Sequence, residues 1–143
     1  MFSHIMIGTN DLERAKVFYD SVLGTLGVPP ARVDGHRIFY RTPGGVFSVT
    51  KPINGEDSTC ANGMTIGFAA ASPAQADAWH AAGLAAGGTT CEGPPGVREG
   101  SAGKLYLGLS TGLFAPRRSD EVEVGRGKSR QPCSRDRGSV FLS

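Results

Sequence analysis

Ser3–Gly27, SHIMIGTNDLERAKVFYDSVLGTLG, and Met64–Gly88, MTIGFAAASPAQADAWHAAGLAAGG, carry the same pattern, so one structural unit occurs twice in this chain. Each copy opens with a short apolar run, SHIMIGT or MTIGFAA, long enough for a strand and too short for a helix of ordinary length. A helix start follows each run. Asn10 stands three residues before Glu13, and Ser72 stands three before Gln75 with Pro73 between, which gives both helices capping-box spacing.

In the first helix Leu12, Ala15, Phe18, Tyr19, Val22 and Leu23 recur at three and four, forming one apolar stripe that Gly24 and Gly27 end. Ala76, Trp79, Leu84 and the alanines between them predict the same stripe in the second helix, ended by Gly87 and Gly88. A shift of about 61 residues places Thr65 on His4, Trp79 on Phe18 and Leu84 on Leu23, whereas the cap residues prefer about 62.

Short strands are predicted after the first helix around Ala31–Val33, His36–Arg41 and Val46–Lys51, separated by turns at Asp34-Gly35 and Pro43-Gly44-Gly45. Ile53–Gly63 is polar, turn-rich and without period, as a linker should be. After the second helix come a loop, CEGPPGVREGSAG, and a strand over Lys104–Leu109. The expected architecture is α+β, with paired βαβββ modules at about 1–52 and 63–112 whose mixed sheets curl into a cup, the second module being incomplete. Residues 113–143 read as a tail rich in Arg, Ser, Gly and Pro, in which Glu121–Val124 and Ser139–Leu142 are the segments able to dock as a closing strand.

A chain of 143 residues with 39% hydrophobic content is large enough for one cored domain. No apolar run approaches the roughly 20 residues that cross a bilayer, and no secretory leader is evident, so a cytoplasmic protein without membrane contact is expected. Cys60, Cys91 and Cys133 are widely spaced, without a CxxC pair, and read as free thiols. The net charge of +2 hides an asymmetry: residues 1–112 hold 8 basic against 9 acidic side chains, and 113–143 hold 7 against 4. The arginines of the tail have no interleaved aromatics and are interrupted by acids, which argues against nucleic acid as a partner.

HIMIGTNDLERAKVFYDSVLGTLG resembles the opening of the vicinal oxygen chelate superfamily, which holds glyoxalases, bleomycin resistance proteins and extradiol dioxygenases. RIFYRTPGGVFSVTKP, GFAAASPAQADAWHAAGLAAGG and GPPGVREG resemble a small bacterial glyoxalase-like branch of it. The resemblance covers about residues 1–108. Its members close the second module with Tyr-Leu-Arg-Asp-Pro-x-Gly-Asn, where this chain has LYLGLSTG. The codons CTA TCT ACG GGA would encode Leu109-Ser110-Thr111-Gly112, and the same bases read one position later give Tyr-Leu-Arg-Asp, so a frameshift near Gly108 is one account of the tail. An authentic divergent or flexible end is the other.

The resemblance implies a cup that takes a small-molecule ligand, a homodimer, and in some members one divalent metal, Zn, Ni, Fe or Mn, held by His, Glu or Gln. The matching first-strand ligand position is His4, whose imidazole suits such metals. The positions expected to supply further ligands hold Ser48 and Thr65, weak neutral oxygens, and the last ligand falls among tail residues such as Glu121 and Glu123. That is short of the three protein ligands that open catalytic sites need, so a chain that holds no metal at all is the alternative expectation. Tyr40, Arg41, Phe47, Ser48, Thr65, Phe68 and Tyr106 are the candidates to line the cup, and about half of them must turn to the core because strand residues alternate. Arg98 and Glu99 either gate the cleft mouth or pair in solvent, and His36 and His80 read as solvent-edge or packing residues. Three functions follow: a metal-dependent glyoxalase-like lyase or dioxygenase acting on a small carbonyl or thiol conjugate, a metal-free protein that sequesters a small molecule such as a drug, or an inactive relative.

Overall fold

The structure is a computed structural model that describes residues 2–59, 64–90, 93–100, 103–111 and 139–142. The first module runs β1 (His4–Gly8), α1 (Leu12–Gly24), β2 (Arg32–Asp34), β3 (Arg37–Thr42) and β4 (Gly45–Thr50). The second runs β5 (Thr65–Phe68), α2 (Pro73–Ala85), β6 (Thr89–Thr90), β7 (Gly96–Gly100), β8 (Gly103–Thr111) and β9 (Ser139–Leu142). Each module builds a mixed sheet in which its first strand lies parallel to its last: β1-β4-β3-β2 in one and β5-β9-β8-β6 in the other, with β7 also on β8.

The segment expected to be a loop before β8 contains β7, which pairs with it antiparallel from Gly96 opposite Leu107 to Gly100 opposite Gly103. Of the two tail segments that the sequence offers for a closing strand, Ser139–Leu142 takes the place, between β5 and β8. It occupies in the second sheet the position of β4 in the first. Glu121–Val124, most of the tail, and Cys60, Cys91 and Cys133 lie outside the described residues.

The helix starts settle the disagreement between the two shifts. Asp11, not Asn10, caps α1, its side chain accepting from the Arg14 backbone N–H at 3.0 Å. Ser72 caps α2 and accepts from the Gln75 N–H at 3.2 Å. Asp11 and Ser72 obey the same shift as His4 and Thr65, so cap and strand repeat in one register. Asn10 serves instead to hold the linker: its amide donates to the Ser58 carbonyl at 3.3 Å and accepts from the Ser58 N–H at 2.5 Å. Gly27, after α1, has a φ of +79°, a left-handed conformation that an L side chain resists.

The buried stripe of α1 is Ala15, Phe18, Tyr19, Val22 and Leu23, and that of α2 is Ala76, Trp79, His80 and Gly83. The first four positions of the two stripes match one for one under the same shift. Leu84 breaks the pattern: it is 41% exposed where Leu23 is 2%. Gly83 and the alanines give α2 a small-residue face, so burial falls on Trp79, which is fully enclosed, and on the side of the helix that carries it. One core spans both modules, from Ile7, Phe18, Ile38 and Val49 to Ile66 and Trp79. Fully burying a side chain such as Phe18 contributes about 1.5–3 kcal/mol.

Candidate functional site at the module seam

Strand alternation divides the first sheet into two faces. Ile38 and Tyr40 on β3 lie opposite Val49 and Phe47 on β4, which lie beside Ile7 and Ile5 on β1, and this face packs on α1. The other face carries His4, Met6, Phe39, Arg41 and Ser48, with Arg37 at its end. In the second module Ile66 and Phe68 join the core, which turns Thr65 and Gly67 to the opposite side of β5.

Where the two modules meet, a cavity of about 520 Å³ opens between the end of α1, the β3–β4 turn and β5. Leu23, Leu26 and Val28 form one wall, Tyr40 and Phe47 another, and Ile66 and Phe68 a third, with Phe2 and His4 among the lining residues where β1 begins. The aromatic walls are fixed by mutual packing. Phe47 lies with its centroid 4.8 Å from that of Tyr19 and meets Phe68 edge to face at 5.3 Å. Such pairs contribute about 0.5–1.5 kcal/mol beyond the area they bury.

The Tyr40 hydroxyl is engaged on the far side of its ring. It donates to Asp20 Oδ1 at 2.9 Å, and that carboxylate also accepts from the Ala31 N–H at 2.9 Å and from Lys16 Nζ at 2.5 Å. Burial works to raise the Asp20 carboxyl, but the hydrogen bonds from Lys16, Ala31 and Tyr40 outweigh it and hold the group below the usual carboxylate range. Burial, followed by the Asp20 carboxylate, pushes the Tyr40 hydroxyl far above the ordinary tyrosine range. Burial does the same to Tyr19. Both phenols therefore stay neutral; Tyr40 serves as a wall rather than an acid, and Tyr19 backs Phe47 from the core.

His4, by contrast, is exposed, and its Nδ1 lies 2.9 Å from Ser3 Oγ. Nε2 has no hydrogen-bond partner among the described residues. A metal there would need further donors, and the nearby ones do not fit. Ser48 is 1% exposed and donates to the Ile5 carbonyl at 3.1 Å, so its oxygen is buried and engaged. Thr65 is a neutral oxygen on the exposed side of β5. Among the described residues no three His, Cys, Asp or Glu side chains group closely enough to hold an ion. Glu121 and Glu123 lie outside those residues.

Of the cup candidates, Tyr40, Phe47 and Phe68 thus share one cavity, and the metal-ligand candidate His4 lines it with them. Arg41 lies on the face of β3 opposite to Tyr40, Ser48 is enclosed in the sheet, and Thr65 points away from the core. Tyr106 is at a different place altogether, its hydroxyl donating to Asp77 Oδ1 on α2 at 2.8 Å. That bond, with burial, raises the phenol above its ordinary range. His36 is exposed, whereas His80 is 6% exposed and packs beneath β6, with Nε2 3.2 Å from Thr90 Oγ1. Burial holds its imidazole below the ordinary histidine range against the pull of Asp77. Leu23, Leu26, Val28 and Ile66 belong to the cavity without any chemical signal, since an apolar wall reads as core until the gap beside it is known. Arg37 and Phe39 had a signal, the strict alternation Arg37, Phe39, Arg41 against Ile38 and Tyr40.

No helix among the described residues is long and apolar enough to cross a membrane. No protein-family profile matches the sequence, and no curated protein does. Solved structures do. A glyoxalase-related enzyme from Fulvimarina pelagi is 16% identical, with a TM-score of 0.64 over 99% of this chain and 86% of that one. A glyoxalase/bleomycin resistance protein/dioxygenase family enzyme from Burkholderia phytofirmans PsJN is 13% identical, with a TM-score of 0.63 over 98% and 94%. These two share the fold. A glyoxalase/bleomycin resistance protein from Albidiferax ferrireducens T118 is 46% identical, covers 100% of this chain and 99% of its own, and superposes with a TM-score of 0.80. Identity at that level over the length of both chains, on paired βαβββ modules, makes this chain a member of the glyoxalase/bleomycin resistance protein family, within the vicinal oxygen chelate superfamily.

Proposed function

We propose that this protein binds a small molecule with an apolar or aromatic body in the cavity at the module seam, and that the described residues do this without a metal. The observation that carries the reading is the lining: aliphatic side chains and four aromatic rings around about 520 Å³, with His4 as the one basic side chain. A concave, mostly apolar site of this size with few polar groups suits a ligand of modest size. In this reading the protein works in the cytoplasm as a homodimer.

Nile red, a neutral apolar fluorophore, tests the reading directly. Saturable binding of one dye per chain is expected, and Val28→Trp, which fills the cavity wall, should abolish it. Failure to saturate, or an unaffected Val28→Trp variant, would remove the seam as the site.

The second reading is a metal-dependent glyoxalase-like lyase or dioxygenase, and the free Nε2 of His4 is what favours it. Its measurement is metal content after exchange into Ni, Zn or Fe. Stoichiometric metal in the native protein, lost in His4→Ala, would support this reading and require ligands from beyond the described residues. Metal-free protein in both cases leaves the binding reading, or an inactive relative, in place.

A further inference from the structure

The outer face of the first sheet is basic without an internal reason. Arg32 on β2 lies opposite Phe39 on β3, and Asp34 lies opposite Arg37, while Arg41 lies opposite Val46 on β4. Cross-strand partners share a face, so Arg32, Arg37 and Arg41 stand together with one acid, Asp34, among them. No ion pair joins any of the three guanidiniums to a described residue, Asp34 included. The Nε of Arg37 is moreover buried and lacks a hydrogen-bond partner among those residues. A buried guanidinium N–H without an acceptor is costly, so the Arg37 side chain gains by turning outward when an acceptor arrives.

Between Arg37 and Arg41 sits Phe39, half-buried, with the Arg41 guanidinium 6.0 Å from its ring centroid. In the next strands Ser48 and Met6 continue the same row, so the arginines flank a mainly apolar floor. Guanidinium forks match planar carboxylates and pre-organise their N–H groups, and a flat apolar body can lie on the floor between them.

We propose that Arg37 and Arg41, with Phe39 between them, form a recognition site for a small organic anion, a carboxylate carried on a planar apolar body. This goes beyond the seam reading and uses a different face of the sheet. Arg41 and Arg37 supply the charge selectivity, and Phe39 supplies the platform. Arg32, on the edge strand, adds long-range attraction that salt weakens.

The test uses the full chain, with 2-naphthoate as probe and the isosteric neutral 2-naphthamide as control, followed by calorimetry or fluorescence. Naphthoate should bind at least roughly tenfold more tightly than naphthamide, and the preference should shrink as salt is raised. Arg41→Gln, on an exposed side chain that the fold does not need, should bring the two affinities together, and Arg37→Gln should do the same. Arg41→Lys should restore part of the preference, because it keeps the charge and loses the fork. Val28→Trp, which tests the seam, should leave the preference intact, so the two proposals fail separately. Equal affinities in the native protein, a preference unchanged in Arg41→Gln, or one abolished by Val28→Trp would each overturn the proposal. So would loss of self-association in Arg41→Gln without any carboxylate binding, which would assign the face to a second copy.

Discussion

Phe47 on β4 and Phe68 on β5 meet edge to face, with ring centroids 5.3 Å apart, and so join two modules that the chain separates by a polar linker. The same two rings wall the seam cavity. Phe47 is 8% exposed and packs on Tyr19 and Tyr40 as well, so Phe47→Ala should cost about 3–5 kcal/mol. Phe68 is half-buried, and Phe68→Ala should cost less while also widening the cavity. Urea unfolding of both single variants and the double variant measures the coupling. An additive double variant would mean that the contact does not join the modules.

Gln75 links the helices through two different bonds. Its Oε1 accepts from the Ala71 N–H at 2.7 Å, completing the start of α2, and its Nε2 donates to the Thr25 carbonyl at the end of α1 at 3.0 Å. Gln75→Ala should lose both and cost about 1–2 kcal/mol. Gln75→Glu keeps an acceptor for Ala71 but has no donor for Thr25, so it should fall between the native protein and the alanine variant. A glutamate variant as stable as the native protein would show that the bridge to α1 contributes nothing.

Much of this arrangement was legible in the sequence because it rests on local chemistry. Strand lengths, helix stripes and the glycine stops repeat in both copies, and the structure places β1, α1, β5 and α2 within a residue or two of the predicted bounds. The misreadings have physical causes. Asn10 and Asp11 are both good cap residues, and the choice between them depended on Ser58, a residue far away in sequence that Asn10 binds. Leu84 has the spacing of a core residue, yet the close approach of α2 on its Gly83 side leaves it exposed. Tyr40 and Arg41 are adjacent and both suit a cleft, but a strand sends them to opposite faces, and nothing local says which face meets the ligand. The strand at Gly96–Gly100 hides behind glycines because its partner, β8, supplies the order that its own composition lacks.

Gly8 lies under the linker, and a Cβ built there would stand 2.5 Å from Ser58 Oγ and 3.2 Å from Ser58 Cβ. The hydroxyl can rotate away, but the β-carbon is fixed by the two backbone bonds that Asn10 makes to Ser58. Gly8→Ala should therefore destabilise by about 1–3 kcal/mol. Ser58→Gly removes both clashing atoms and keeps the backbone bonds, so the double variant should recover most of the loss. Thermal unfolding of the four proteins in the cycle decides this, and no recovery would mean that the linker does not rest on Gly8.

Asp20 ties α1, the residue before β2 and β3 to one carboxylate, and its ionisation state sets an acid limit on stability. Its folded pKa lies below its unfolded value of about 3.9. Such a group contributes stability that is fully present above the unfolded value and is lost as pH falls through the folded one. The native protein should thus exceed Asp20→Asn in stability near neutral pH, and the gap should close in acid. Tyr40→Phe removes a donor that favours the charged carboxylate, so the Asp20 pKa should move up toward its ordinary value. The acid limb of Tyr40→Phe, followed by circular dichroism from about pH 7 to about pH 2, should then begin at higher pH than that of the native protein. Superimposable acid limbs would show that the hydroxyl bond, though 2.9 Å long, does not bias the carboxylate.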